Sequence, residues 1–188
     1  MFSLPGTPVL FYGEEIGMAE NLDIEGRKSV RTPMQWSSEK NGGFSSAPRS
    51  RLCSAPPEGG YAPEHVNVIS QRHDPDSLLA HIRLLITRYR SSSEIGWGEF
   101  ELLDHDVPSV LAHSVRSDTG RMIALHNLAP EAATVSITVK GEPDDSVLSD
   151  LLREASTPLG PRGRIDVELE PYGYRWMRVL RPGDRRLS

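Results

Sequence analysis

A single cysteine, Cys53, excludes an intrachain disulfide. It sits in a stretch rich in Ser, Pro and Gly and reads as incidental rather than as a nucleophile. No apolar run approaches the ~20 residues of a membrane span, so no membrane partner is expected. The first residues lack the charged start and long apolar core of a signal peptide, and a cytoplasmic location is the expectation. Basic residues are in the minority, 21 Lys and Arg against 26 Asp and Glu, with a net charge of −5. No basic cluster is large enough for a nucleic-acid surface. The basic end "RPGDRRLS" reads as a solvated tail. Six histidines, His65, His73, His81, His105, His113 and His126, show no short ligand spacing and no Cys/His cluster, so no metal site is expected. "DHD" at 104–106, just before Pro108, fits a turn. "DPDS" at 74–77 lacks the glycine and later glutamate of a calcium loop.

What is present is globular in character: 37% hydrophobic and 25% charged residues, enough chain for one ordinary domain or two small ones. The run Val9 to Tyr12 is continuous rather than alternating, flanked by Pro5, Pro8 and Gly13, and suggests a short strand covered on both faces. Residues 19–73 have little periodicity, a length of loop that is generally functional or disordered. A helix is expected over 75–90, with Asp74 as N-cap and Pro75 in its first turn. Leu78, Leu79, Ile82, Leu85, Ile86 and Tyr89 share one face of it. Arg88 and Arg90 suit its C-terminal end, and "SSSEIG" at 91–96 ends it.

Beyond Trp97, seven short apolar runs alternate with turn residues: 99–103, 109–115, 121–128, 134–139, 146–152, 164–170 and 174–180. "SDTG" at 117–120 signals a hairpin. "TVSITV" and "RIDVELE" alternate strictly, as strands with one wet face do. Such spacing predicts an antiparallel β-sandwich. His113 and His126 fall in two of these strands and are expected to pair across a hairpin in a packing role.

"SLPGTPVLFYGEEIGM" (3–18) and "RTPMQW" (31–36) resemble the α-amylase superfamily of glycoside hydrolases, in particular its trehalose synthase and oligo-α-glucosidase branch. "NGGFS" (41–45), "VNV" (66–68) and "DPDSLL" (74–79) follow in the order that branch uses. The likeness is strong over residues 3–90 and weaker in the β-region. It implies an α/β plus all-β chain: the last β-strand, long loop and last helix of a (β/α)₈ barrel, then an antiparallel β-sandwich C-terminal domain. The implied domains are a barrel remnant at 1–94, the β-domain at 95–182 and a tail at 183–188. A whole barrel needs about 250 residues, so the resemblance implies a truncated enzyme acting on α-glucosidic bonds. Its substrate would be an α-glucan or an α-linked disaccharide, and a separately encoded N-terminal half is compatible with it. No cofactor is implied.

Retaining glycosidases need two carboxyl groups flanking the scissile bond. The family's nucleophilic Asp, acid/base Glu and third Asp belong to earlier strands, and none of their motifs occurs here. No catalytic residue is therefore assigned, and the isolated chain is expected to be inactive. Glu14 and Glu15 are neighbours that point to opposite faces of an extended chain. They read as loop anchors or as support close to the active-site rim. The candidates for substrate contact are Arg31, whose guanidinium can donate several hydrogen bonds to sugar hydroxyls, with Gln35 as a second donor and Trp36 as a stacking surface. Against this stands a packing role for Met34 and Trp36, with Arg31 paired to Glu14 or Glu15. A different class of function is a non-catalytic carbohydrate-binding or subunit-contact β-domain. Trp97, Trp176, Tyr172 and Tyr174 would form its stacking surface, unless they are core.

Overall fold

The computed structural model describes residues 1–184. Most of the tail expected at 183–188 lies outside the described residues. The chain divides into two compact units, Val9–Leu85 and a second made of Met1–Pro8 with Ile86–Ser188. No described helix is long and apolar enough to cross a membrane.

The unit at 9–85 contains no strand. Residues 9–12, expected as a strand, have no ladder partner, and Val9 is 78% exposed. A parallel strand exists only through neighbours that accept and donate its hydrogen bonds. The long segment that follows is held by five 3₁₀ turns. It then enters a short helix, α1 (Val68–Arg72), which its periodicity did not announce. Asn67 caps α1 by accepting from the Ser70 amide at 2.8 Å.

The expected helix is α2, Leu78–Arg90. It starts three residues later than Asp74 and Pro75 suggested. Asp74 instead closes a turn on the Asp76 amide at 2.9 Å, and the Ser77 hydroxyl caps the Ala80 amide at 3.2 Å. The difference is a choice between two caps of similar strength. Within the expected apolar face only Leu79 is fully buried, while Leu78 is exposed. In the unit at 9–85, Leu79 packs with Ile16 and Met34 against Met18, Val66 and Val68. After α2 the chain makes a second short helix, α3 (Ser93–Trp97), where only an ending was expected.

The other unit is an antiparallel sandwich of eight strands. They are β1 (Glu99–Leu102), β2 (Val110–Ser117), β3 (Gly120–Asn127), β4 (Ala133–Thr138), β5 (Val147–Asp150), β6 (Ser156–Pro158), β7 (Arg164–Leu169) and β8 (Tyr174–Leu180). All seven expected runs carry a strand. The missed one, β6, is a three-residue exposed edge containing Pro158. Proline is tolerated at a sheet edge but gives no strand signal. One sheet has the order β1-β2-β3-β8-β5-β6, and β4 pairs β7 in the other. The β2–β3 hairpin turns at Ser117↔Gly120, within the "SDTG" signal.

The core lies between the sheets. Ile123 and Leu125 of β3, Val135 and Ile137 of β4, Leu148 of β5 and Leu169 of β7 are all at most 1% exposed. β7 alternates exposed and buried along its length, as the period of two requires. Gly163, just before β7, has φ +75, and a Cβ there would collide with the Val139 carbonyl oxygen. Only glycine admits both that conformation and that approach.

Candidate functional site

The segment around "FYGEEIGM" is a tight turn. Gly13 has φ +94, and a Cβ on it would meet the Met18 sulfur at 2.7 Å. Glu15 Oε2 accepts from the Gly13 amide at 2.7 Å, and Glu14 Oε2 from the Phe11 amide at 3.1 Å. Both glutamates thus hold the turn that presents Tyr12. The Tyr12 hydroxyl in turn donates to the Thr32 carbonyl at 2.9 Å, tying the turn to "RTPMQW".

That hexapeptide buries Thr32, Met34 and Gln35 and exposes Arg31 and Trp36. Met34 is drawn inward by Ile16 and Leu79. Gln35 is fully buried, and its Nε2 donates to the Val66 carbonyl at 2.5 Å and the Tyr61 carbonyl at 3.1 Å. The Gln35 backbone carbonyl accepts from the Val68 amide at 2.9 Å, and Trp36 N donates to the Gly42 carbonyl at 2.8 Å. Trp36 therefore stands on braced backbone.

Arg31, Trp36 and Glu15 meet at the rim of one cleft of about 610 Å³, with Tyr12, Phe44 and Cys53 among its other lining residues. Gln35 is not on its wall. Both of its amide donors are already committed to backbone carbonyls, so its place is behind the cleft. Arg31 forms no ion pair with Glu14 or Glu15, or with any other acid among the described residues. The guanidinium is free to donate into the cleft. The cleft thus combines an exposed indole, two further aromatic rings and two planar cations, Arg31 and Arg51. That set suits a ligand with apolar ring faces and many hydroxyls. It carries one carboxylate, Glu15, where bond cleavage by a retaining mechanism requires two. Tyr12 and Phe44 lie in quoted motifs, but nothing in their spacing marked them as lining residues.

The four aromatics considered for the β-domain do not form a common surface. Trp97 is 90% exposed and Tyr172 is exposed, but Trp176 is buried at 2% and Tyr174 is half-buried. Trp176 lies on β8 opposite Ala124 of β3, on the face away from its neighbour Met177, which belongs to the core between the sheets.

His113 and His126 are diagonal rather than direct partners: His113 opposes Ala124, and His126 opposes Leu111. Their rings stack at 6.0 Å, within a row that continues to Phe100 on one side and Tyr174 on the other. Ser3 lies on this row. His113 Nε2 donates to the Ser3 carbonyl at 2.8 Å, and His126 Nε2 lies 2.9 Å from the Ser3 hydroxyl. Burial pushes the His113 pKa down. It pushes His126 down to about 4, helped by the neighbouring His113 and the N-terminal amine. Both rings are packing groups. No group of three or more potential metal ligands converges among the described residues.

Residues 1–98 match the family described as alpha amylase, catalytic domain, and residues 120–178 match the sucrose hydrolase-like C-terminal domain. Trehalose synthase of Thermus thermophilus is 32% identical over 176 residues, which is 93% of this chain and 18% of that protein. Trehalose synthase of a Pimelobacter species is 33% identical, over 97% of this chain and 32% of its own length. The structure of Bacillus licheniformis trehalose-6-phosphate hydrolase superposes with a TM-score of 0.70 at 19% identity, covering 96% of this chain and 37% of that one. The chain thus spans 18–37% of the length of these relatives, in the arrangement of a barrel's last portion followed by a β-domain. With more than half of its residues inside the catalytic-domain match, this protein belongs to the α-amylase family of glycoside hydrolases.

Proposed function

We propose that the chain forms one wall of the substrate site of an enzyme acting on α-glucosidic bonds, of the trehalose synthase or α-glucosidase type, and supplies no catalytic carboxylate. In this reading residues 1–94 belong to the catalytic barrel, residues 95–182 form its C-terminal domain, and the carboxylates come from an N-terminal half on the same or a separate polypeptide. The observation that carries it is the cleft in which Arg31 and Trp36 stand exposed beside a single anchored glutamate, Glu15. Arg31 would donate to sugar hydroxyls and Trp36 would stack on a ring. Gln35 would keep the loop in shape from behind. The substrate class is an α-linked disaccharide or α-glucan, in keeping with the trehalose synthases among the relatives. A cytoplasmic location belongs to the same proposal, supported by the exposed free thiol of Cys53, which reducing compartments preserve.

The test is to translate the DNA upstream of Met1 in every forward frame. The proposal expects the earlier strands with their Asp and Glu motifs there, in frame or one shift away, or else in a separate gene whose product binds this chain. Finding neither would contradict it.

A further inference from the structure

A second cleft, of about 640 Å³, lies wholly within the β-domain unit and is lined by Ser93, Trp97, Glu99, Arg116, Asp118 and Arg181, among others. We propose that it is a binding site for a neutral oligosaccharide, distinct from the Arg31–Trp36 cleft, with Trp97 as its stacking platform.

Trp97 is the most exposed large hydrophobic side chain among the described residues, at 90%. It is nevertheless held on rigid backbone. It ends α3, and the next residue, Gly98, packs so tightly that a Cβ would fall 2.5 Å from the Glu94 carbonyl and 2.7 Å from that of Arg116. Within α3, the buried Glu94 carboxylate is bound by Arg178 of β8 at 2.7 and 3.2 Å. Arg178 also donates to the Ser91 carbonyl and the Ser92 hydroxyl, both at 3.0 Å. Four hydrogen bonds from one guanidinium therefore fasten the helix that carries the indole. Leaving an indole in water while fixing its position is costly for packing and useful for stacking.

The surrounding groups match a polyol. Ser93, Ser117 and Thr119 form a hydroxyl chain, with contacts of 2.9 and 2.7 Å. Arg116 is exposed and has no ion pair among the described residues, although it stands directly opposite Glu99 in the β1–β2 ladder. Two guanidinium groups, Arg116 and Arg181, and two carboxylates, Glu99 and Asp118, line it, and Arg181 is held by Glu142 at 2.9 Å. The cleft therefore offers planar donors and planar acceptors side by side. An anion or a cation would meet a like charge in it, whereas vicinal hydroxyls can use both kinds of group. Its volume is within the roughly 300–1,000 Å³ of small-molecule sites.

The test is isothermal titration calorimetry of the full chain with maltoheptaose, on the wild type and on Trp36→Ala, with Trp97→Ala and Arg116→Ala each added to the Trp36→Ala variant so that the other cleft contributes no heat. Calorimetry is preferred because the indole is itself the fluorescent reporter. We expect saturable heat in the wild type that persists in Trp36→Ala. It should weaken by at least roughly tenfold in Trp97→Ala, the loss a central aromatic anchor can cause, and by a smaller factor in Arg116→Ala. Exposed positions should leave the thermal midpoint unchanged, which separates lost binding from lost folding. Absence of heat in the wild type would overturn the proposal. So would binding that survives Trp97→Ala in the Trp36→Ala background, or that disappears in Trp36→Ala itself, the latter placing the sugar in the other cleft. A change in oligomeric state on Trp97→Ala, without sugar binding, would make this face a protein contact instead.

Discussion

At the scale of single residues, two buried polar groups dominate the β-domain unit. The Glu94–Arg178 pair is the first, with side chains 3% and 12% exposed. Removing one member of a buried pair leaves the other charge without compensation, at a cost of about 3–5 kcal/mol. Glu94→Ala should therefore lower the urea midpoint sharply, whereas Glu58→Ala, whose pair with Arg49 is exposed on both sides, should do little. The histidine row is the second. An unfolded His126 titrates near 6.5, but the folded ring stays neutral down to about 4. Between those values the unfolded chain binds the extra proton, so stability is full above pH ~6.5 and declines as pH falls toward ~4. The measurement is the urea midpoint at pH 7, 6 and 5. A progressive drop is expected, and His126→Phe should flatten it by keeping the stack with Tyr174 but removing the titrating group.

At the scale of elements, strand positions were legible because their period of two survives any context. β4 and β7 alternate in sequence and pair over their full length, Ala133↔Leu169 to Thr138↔Arg164. Leu148 at the centre of the core is 1% exposed, and Leu148→Ala should cost about 2–5 kcal/mol by opening a cavity. Helix ends were less legible. Asp74 and Ser77 are both good caps, and only the packing of Leu79 on Ile16 and Met34 selects the later start. The run at 9–12 was read as a strand from composition, yet a strand requires partners, and the described residues offer it none. Of the candidate site, Arg31 and Trp36 were visible as surface groups in a motif. The burial of Gln35 was not, because the carbonyls that hold it belong to Tyr61 and Val66, some thirty residues away. The segment 19–73 is held by short turns and side-chain hydrogen bonds rather than by a ladder, and such segments open locally at low cost. Limited proteolysis should cut within 19–73 before it cuts the sandwich. Uniform resistance there would show that this loop is as cooperative as the β-domain.

At the scale of the whole molecule, the protein joins a segment that shapes an aromatic-lined cleft to a β-domain with a complete core. What it lacks among the described residues is a pair of carboxyl groups facing each other across either wall of that cleft. Glu14 and Glu15 each accept a backbone amide and hold a turn. The two carboxylates of a retaining mechanism must sit about 5 Å apart across the glycosidic bond, and adjacent residues anchored in this way do not provide that arrangement. The most direct measurement is turnover of maltose, trehalose and an aryl α-glucoside by the purified chain alone. The account predicts none above background. Turnover that is abolished by Glu15→Gln or Arg31→Ala would contradict it, and would show that this chain carries catalytic groups of its own.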